Sequence, residues 1–140
     1  MKNFIYHFVF VLMLALSVGC GKNCAVSGKV TFSDGTPLTV GKVVFETQTF
    51  QASGKIKSDG TYTMGSSKAG DGVPKGTYQI SIQDVMQPTV EATTPGKPPK
   101  LTFPKELPID KKYFSINTSG LTCEVKGRTK YDIKVEAPAK

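Results

Sequence analysis

Short segments in which apolar and polar residues alternate place the strongest limit on how this chain can fold. The clearest segment, Tyr78–Gln83, has Tyr78, Ile80 and Ile82 on one side and glutamine or serine on the other. Alternation with a period of two is typical of a half-buried β-strand, and no helical period competes with it here. The chain therefore predicts an all-β protein.

Turn-forming residues divide the chain into seven such segments, with no amphipathic helix among them. Asp59-Gly60 is a strong hairpin signal, so we expect the segments on either side of it to pair. A short turn around Gly127 likewise predicts a closing hairpin between Leu121–Val125 and Tyr131–Val135. Together these features predict a seven-stranded antiparallel β-sandwich, preceded by a helical signal segment.

The first residues have the layout of an export signal, with Lys2 ahead of the mostly apolar run Phe4–Val18. As a helix this run would reach only about 22 Å, short of the roughly 30 Å of a bilayer core. Leu16–Cys20 resembles the lipobox of bacterial lipoproteins, in which a small residue precedes a cysteine that is lipidated and becomes the new N-terminus. Residues 1–19 are accordingly interpreted as a lipoprotein signal peptide.

The lipobox resemblance implies a lipid such as palmitate on Cys20, a short tether over residues 20–24 and anchoring to a membrane. The protein would be exported to the bacterial cell envelope, and Gly21 favours the outer membrane where the cell has one. Ser17 stands where leucine is usual. Ordinary cleavage after Ser17, or no cleavage, are therefore the alternatives.

The remaining chain suits one domain, over residues 25–136, with a tail at 137–140. Within this domain, the segment 87–112 contains six prolines, which favour an extended connection over regular pairing. This long proline-rich loop is either functional or a strap across one end of the sandwich. The apolar residues that would pin such a strap are Leu101, Phe103, Leu107 and Ile109.

Several motifs in a fixed order look like a carboxypeptidase regulatory-like domain. They are Val26–Thr31, Gly35–Leu38, Lys42–Phe45, Ser58–Tyr62, Pro74–Ile80, Leu107–Ile109, Lys112-Tyr113 and Thr118–Leu121. The resemblance covers nearly all of residues 25–136 and includes small bacterial lipoproteins made of one such domain. It implies a transthyretin-like (prealbumin-like) sandwich and almost nothing about activity, because this module is an accessory in larger proteins.

The chemistry of the residues argues against an enzyme. His7, the single histidine, lies in the signal segment, so a mature protein would lack both Ser-His-Asp catalysis and imidazole metal sites. The aspartates occupy turns and loop ends, where they serve the backbone. We therefore expect no catalytic residue, no metal site and no cofactor.

Cys24 and Cys123 both lie on the inward side of predicted strands. In an oxidising compartment they could form a disulfide between the first and sixth strands. The alternative is two buried free thiols that pack as small hydrophobic groups.

Two kinds of partner are compatible with these features. The chain has 18 basic and 11 acidic residues, but its lysines are scattered, which favours a solvated surface over nucleic-acid binding. Tyr113 and Phe103 could form an exposed stacking platform for a sugar, although packing inside the protein is the alternative. We expect a non-catalytic, membrane-anchored envelope lipoprotein with a structural or protein-binding sandwich; the alternative is a binding module for carbohydrate or another envelope polymer.

Overall fold

The structure, a computed structural model, describes residues 22–91, 98 and 100–138. The predicted signal peptide, Cys20 and the last two residues of the tail lie outside the described residues. The strands, in chain order, are β1 (Val26–Phe32), β2 (Lys42–Glu46), β3 (Gln51–Lys55), β4 (Thr61–Thr63), β5 (Gly76–Gln83), β6 (Thr89–Glu91), β7 (Lys100–Thr102), β8 (Leu121–Val125), β9 (Thr129–Lys130) and β10 (Ile133–Val135). A 3₁₀ helix (Lys111–Phe114) and a short helix α1 (Ile116–Ser119) precede β8.

Eight of these strands form two sheets that enclose one core, as in a β-sandwich. Sheet A contains β1, with β4 on one side and both β9 and β10 on the other. Sheet B has the order β3-β2-β5-β8 and is antiparallel throughout. Phe45 lies between the sheets, with its ring centroid 5.7 Å from that of Tyr78 in sheet B and 6.3 Å from that of Tyr131, beside sheet A.

The predicted all-β class is confirmed, but the count of seven strands and the fully antiparallel arrangement are wrong. Within the described ranges two four-stranded sheets are present, and β9 and β10 both run parallel to β1. The predicted closing hairpin is also wrong, because β8 belongs to sheet B while β9 and β10 belong to sheet A. The turn around Gly127 takes the chain across the sandwich, so β9 runs alongside β1 in the same direction.

The turn at Asp59-Gly60 forms, but it does not join neighbours in one sheet. The Gly60 N–H donates to the Lys57 carbonyl and the Lys57 N–H donates to the Thr61 carbonyl, both at 2.9 Å. The strands on either side, β3 and β4, nevertheless lie in sheets B and A respectively. This turn therefore connects the two layers at one edge of the sandwich.

The proline-rich segment is more regular than predicted. Its strands β6 and β7 pair as a two-stranded sheet of their own, and neither contains a proline. Ile109 is fully buried, as the strap hypothesis requires, and Leu107 is half-buried. Leu101 and Phe103 do not pin a strap, because they are 53% and 57% exposed.

Candidate functional site

The structure does not bring Tyr113 and Phe103 together as an exposed platform. Tyr113 is only 4% exposed and packs in the core, and the Lys112 ammonium nitrogen lies 5.1 Å from its ring centroid. Asp110 holds this 3₁₀ turn by accepting a hydrogen bond from the Lys112 N–H at 2.9 Å. Stacking on Tyr113 is therefore blocked by its packing, and the two-residue sugar platform is wrong.

Cys24 and Cys123 are both buried, as predicted, and the structure has both as free cysteines. Cys24 lies just before β1 and forms a β-bridge with Val73, whereas Cys123 pairs with Tyr78 in sheet B. Burial raises the pKa of the Cys123 thiol, which favours its neutral form. The alternative of two thiols that pack as small hydrophobic groups describes the structure, and the predicted disulfide is absent from it.

The described residues contain no group of three or more side chains able to hold a metal ion. Over the same residues, no helix has both the length and the apolar character needed to cross a bilayer. Cys20, the predicted lipidation site, falls outside the described part, so its modification stays a prediction.

A concave surface lies at the edge of the sandwich where the Asp59-Gly60 turn links β3 in sheet B to β4 in sheet A. It is a cleft of about 770 Å³, within the range of small-ligand sites. We call it the edge cleft. Its walls come from four separate segments of the chain together with Gln87, namely Thr39–Gly41, Lys55–Ser58, Thr63 and Ala69-Gly70.

Close packing of backbone closes the sandwich beneath the edge cleft. A β-carbon at Gly54 would lie 2.6 Å from the Thr63 carbonyl oxygen, so only glycine lets β3 approach β4 this closely. The Ile56 side chain is 2% exposed and packs in the core, and its N–H donates to the Gly41 carbonyl at 2.9 Å. The backbone that carries Lys55 and Lys57 is thus held by contacts with Thr63 on one side and with Gly41 on the other.

Lys55 and Lys57 project from the same wall. Burial alternates along this segment, with Gly54 and Ile56 inside and both lysines exposed. Two residues of extended chain span about 6.6 Å, so the lysines start from neighbouring points on one face. The cleft is therefore lined by two cationic residues together with three hydroxyl-bearing residues, Thr39, Ser58 and Thr63.

The charges around the edge cleft favour an anion. None of its lining residues is acidic, and neither lysine forms an ion pair with a carboxylate whose position the structure describes. The nearby Asp59 carboxylate accepts hydrogen bonds from the Thr61 hydroxyl at 2.7 Å and the Thr61 N–H at 2.9 Å. These bonds hold the pKa of Asp59 below its usual value, and Lys57 lowers it slightly further. Asp59 is therefore an ionised neighbour that offsets part of the charge of Lys57.

Comparison with known proteins assigns no family. No protein-family model matches the chain, and no curated protein matches it. A crystal structure of a DUF3823 family protein from Bacteroides ovatus is similar, at 15% sequence identity and a TM-score of 0.44. The alignment covers 81% of this chain and 44% of the Bacteroides ovatus chain. The chain thus spans less than half of that protein, and a similarity at this level identifies neither family nor function.

The edge cleft was missed in the sequence because its walls are far apart along the chain. The one readable signal was the spacing of Lys55 and Lys57 about an inward Ile56. In the sequence they are two of many scattered lysines, since nothing in a single sequence shows that Thr39 and Ala69 lie beside them.

Proposed function

We propose that this protein is an exported, non-catalytic lipoprotein that is anchored to the cell envelope through Cys20 and binds a protein partner through its sandwich. The lipobox-like Leu16–Cys20 and the single histidine, confined to the signal segment, support anchoring and a binding role. The ordered motifs support a carboxypeptidase regulatory-like, transthyretin-like module. In larger proteins that module is an accessory, which agrees with a binding role here.

The observation that carries the protein-binding role is the β6–β7 hairpin. Leu101 and Phe103 are two residues apart, and both large apolar side chains are exposed. The hairpin pairs with neither sheet of the sandwich. Exposed apolar side chains grouped on an element outside both sheets are typical of protein-binding surfaces.

The position of the hairpin also suits contact with a partner. Cys24 pairs with Val73 at the start of β1, whereas Phe32, at the end of β1, lies beside Val135. The Asp110 N–H bonds to the Glu136 carbonyl at that second end, so the segment carrying the hairpin returns there. An anchor at Cys20 would therefore tether one end of the sandwich and leave the hairpin at the other.

Site-specific photocrosslinking in native envelopes tests the partner. A photoreactive residue at Phe103 should give a discrete protein adduct, and the same probe at Gln79, exposed on sheet B, serves as the matched control. Replacing Leu101 with serine should remove the adduct while the protein stays folded. Equal labelling from both positions, or none from Phe103, would contradict a partner at the hairpin.

Metabolic labelling with a clickable fatty acid tests the anchor. Wild type and the Cys24→Ala control should be labelled equally, whereas Cys20→Ala should lose the label. Labelling that survives in Cys20→Ala would rule out lipidation at this cysteine.

A second candidate function is binding of carbohydrate or another envelope polymer. The edge cleft favours it, because the cleft combines a ligand-sized volume with lining residues that carry hydroxyl and ammonium groups.

A further inference from the structure

We infer that the edge cleft binds an anionic polysaccharide and recognises its carboxylate groups through Lys55 and Lys57. This inference deepens the second candidate function and does not depend on the hairpin or on lipidation. It specifies the class of polymer, the residues that recognise it and the physical basis of selectivity.

The lining residues select against a neutral sugar. Neutral sugars are commonly held by an aromatic ring stacked on an apolar sugar face, and the edge cleft has no aromatic residue in its lining. Its apolar contributions come from Val40, Ile56 and Ala69, which offer no flat ring. Recognition in this cleft must therefore rest on charge and hydrogen bonding.

The two ammonium groups supply the charge recognition. Lys55 and Lys57 are neighbours on one exposed face, and neither has an ion pair with a carboxylate among the described groups. The lysines at positions 42, 112, 126 and 130 each have a carboxylate within 3.5 Å, whereas Lys75 and Lys134 have none among the described groups and so match Lys55 and Lys57 as controls. Neither ammonium group in the cleft is paired with a carboxylate among the described groups, so both can contact an anionic ligand.

The hydroxyl groups and the shape favour a chain of sugars over a single small anion. Thr39, Ser58 and Thr63 can each donate to or accept from sugar hydroxyls. The cleft is lined by residues from distant parts of the chain, Thr39 to Gln87, and its volume of about 770 Å³ exceeds the needs of an inorganic anion. A polysaccharide can place successive carboxylates on both lysines while the hydroxyls contact the sugar rings.

The test compares a labelled polyuronate with neutral dextran of matched length, using the full-length protein in detergent. We expect wild type to bind the polyuronate and not dextran. Lys55→Gln/Lys57→Gln should weaken polyuronate binding by about tenfold or more, because two charge-assisted contacts are lost. Lys75→Gln/Lys134→Gln removes the same charge from exposed sites outside the cleft and should change binding by less than about twofold.

Ala69→Trp separates the cleft from charge alone. This exposed lining residue can be enlarged without altering any charge, and the indole should occupy part of the cleft, obstruct the ligand and reduce binding as strongly as the lysine changes do. Raising NaCl from about 0.1 M to about 1 M should weaken the binding of wild type, because the screening length falls from about 10 Å to about 3 Å.

Three results would overturn the inference: no polyuronate binding, equal weakening by the two lysine pairs, or full binding by Ala69→Trp. Displacement by monomeric uronate at the same carboxylate concentration would show that the cleft takes a small anion and not a polymer. Dextran binding that disappears in Ala69→Trp would support the second candidate function but not its anionic specificity. Crosslinking at Phe103 is read independently, so each proposal can fail alone.

Discussion

The two sheets of the sandwich are held together in different ways. In sheet B, β2 pairs with β3 and with β5 over five residues each, and β5 pairs with β8 over five more. In sheet A, β1 pairs over three residues with β4, three with β10 and two with β9. Sheet B is thus a regular hydrogen-bonded ladder, whereas sheet A depends on a few specific contacts.

Those contacts involve Tyr131 and Asp132, the two residues between β9 and β10. The Tyr131 carbonyl passes directly over Gly28 and accepts a hydrogen bond from the Tyr62 hydroxyl at 2.5 Å. One residue further on, the Asp132 carboxylate accepts a hydrogen bond from the Lys29 N–H at 2.9 Å. Side chains therefore complete the pairing of β1 where the parallel ladder is interrupted. Substitutions at these contacts should therefore destabilise the protein more than matched substitutions within the regular ladder of sheet B.

The largest effect is expected from Gly28→Ala. The new β-carbon would lie 1.8 Å from the Tyr131 carbonyl oxygen, so backbone must move, and we expect a loss of about 4 kcal/mol in the free energy of unfolding. Gly76→Ala in sheet B is the control, since its nearest neighbour would be 3.8 Å away and the change should stay within about 1 kcal/mol. Urea denaturation measures both. Equal losses would remove the distinction between the sheets.

Tyr62→Phe should cost about 1–3 kcal/mol, because the partly buried Tyr131 carbonyl loses its donor. Tyr78→Phe removes a comparable bond from sheet B, from the Tyr78 hydroxyl to the Pro74 carbonyl at 2.8 Å, in a less enclosed place. We expect the second loss to be the smaller in thermal and urea melts. A larger loss from Tyr78→Phe would contradict the special role of the Tyr62 hydroxyl.

Alkaline pH should weaken the folded state through the same tyrosine. Burial raises the pKa of Tyr62, so the folded protein keeps its phenolic proton above pH of about 10, where the unfolded chain loses it. The folded state then binds more protons, and stability falls with pH by at most about 1.4 kcal/mol per pH unit for this group. The free energy of unfolding of Tyr62→Phe should fall less steeply with pH than that of wild type between about pH 10 and about pH 11. An unchanged slope would mean that Tyr62 ionises freely in the folded protein.

Asp132→Ala should have the smallest measurable effect on sheet A, about 1 kcal/mol, because the Lys29 N–H loses a charged acceptor but can reach water. The control is Glu124→Ala, which breaks the exposed ion pair with Lys126 (2.9 Å) in sheet B and should cost no more than about 0.5 kcal/mol. Paired urea titrations decide the order. A greater loss from Glu124→Ala would reverse the comparison.

The strands themselves were readable from the sequence, because alternation reports which side of a segment is buried. Tyr78, Ile80 and Ile82 are all buried, as the pattern predicts. The partner of each strand was not readable. Leu121–Val125 and Ile133–Val135 are close in the chain and alternate correctly, yet they pair in different sheets because the intervening turn leads from sheet B to sheet A.

The candidate site was even less accessible to prediction. Burial of Tyr113 depends on a 3₁₀ turn capped by Asp110 in a segment whose prolines suggested an exposed loop. The edge cleft depends on Gly54 allowing β3 to approach Thr63, a contact that a local pattern cannot reveal. Properties of one segment were therefore predicted well, and properties shared between distant segments were not.

The parallel pairing of β1 with β9 and β10 has a consequence for the order of events during synthesis. β1 is made early, but the Asp132 side chain that bonds its Lys29 N–H comes 103 residues later in the chain. Until residues 129–135 have been synthesised, β9 and β10 cannot pair with β1, and Gly28 is not covered by the Tyr131 carbonyl. Sheet B can pair its strands before this point, whereas sheet A is completed only by the last strand of the sandwich. Loss of β10 would therefore disrupt sheet A, which also contains β1, the first strand in the chain.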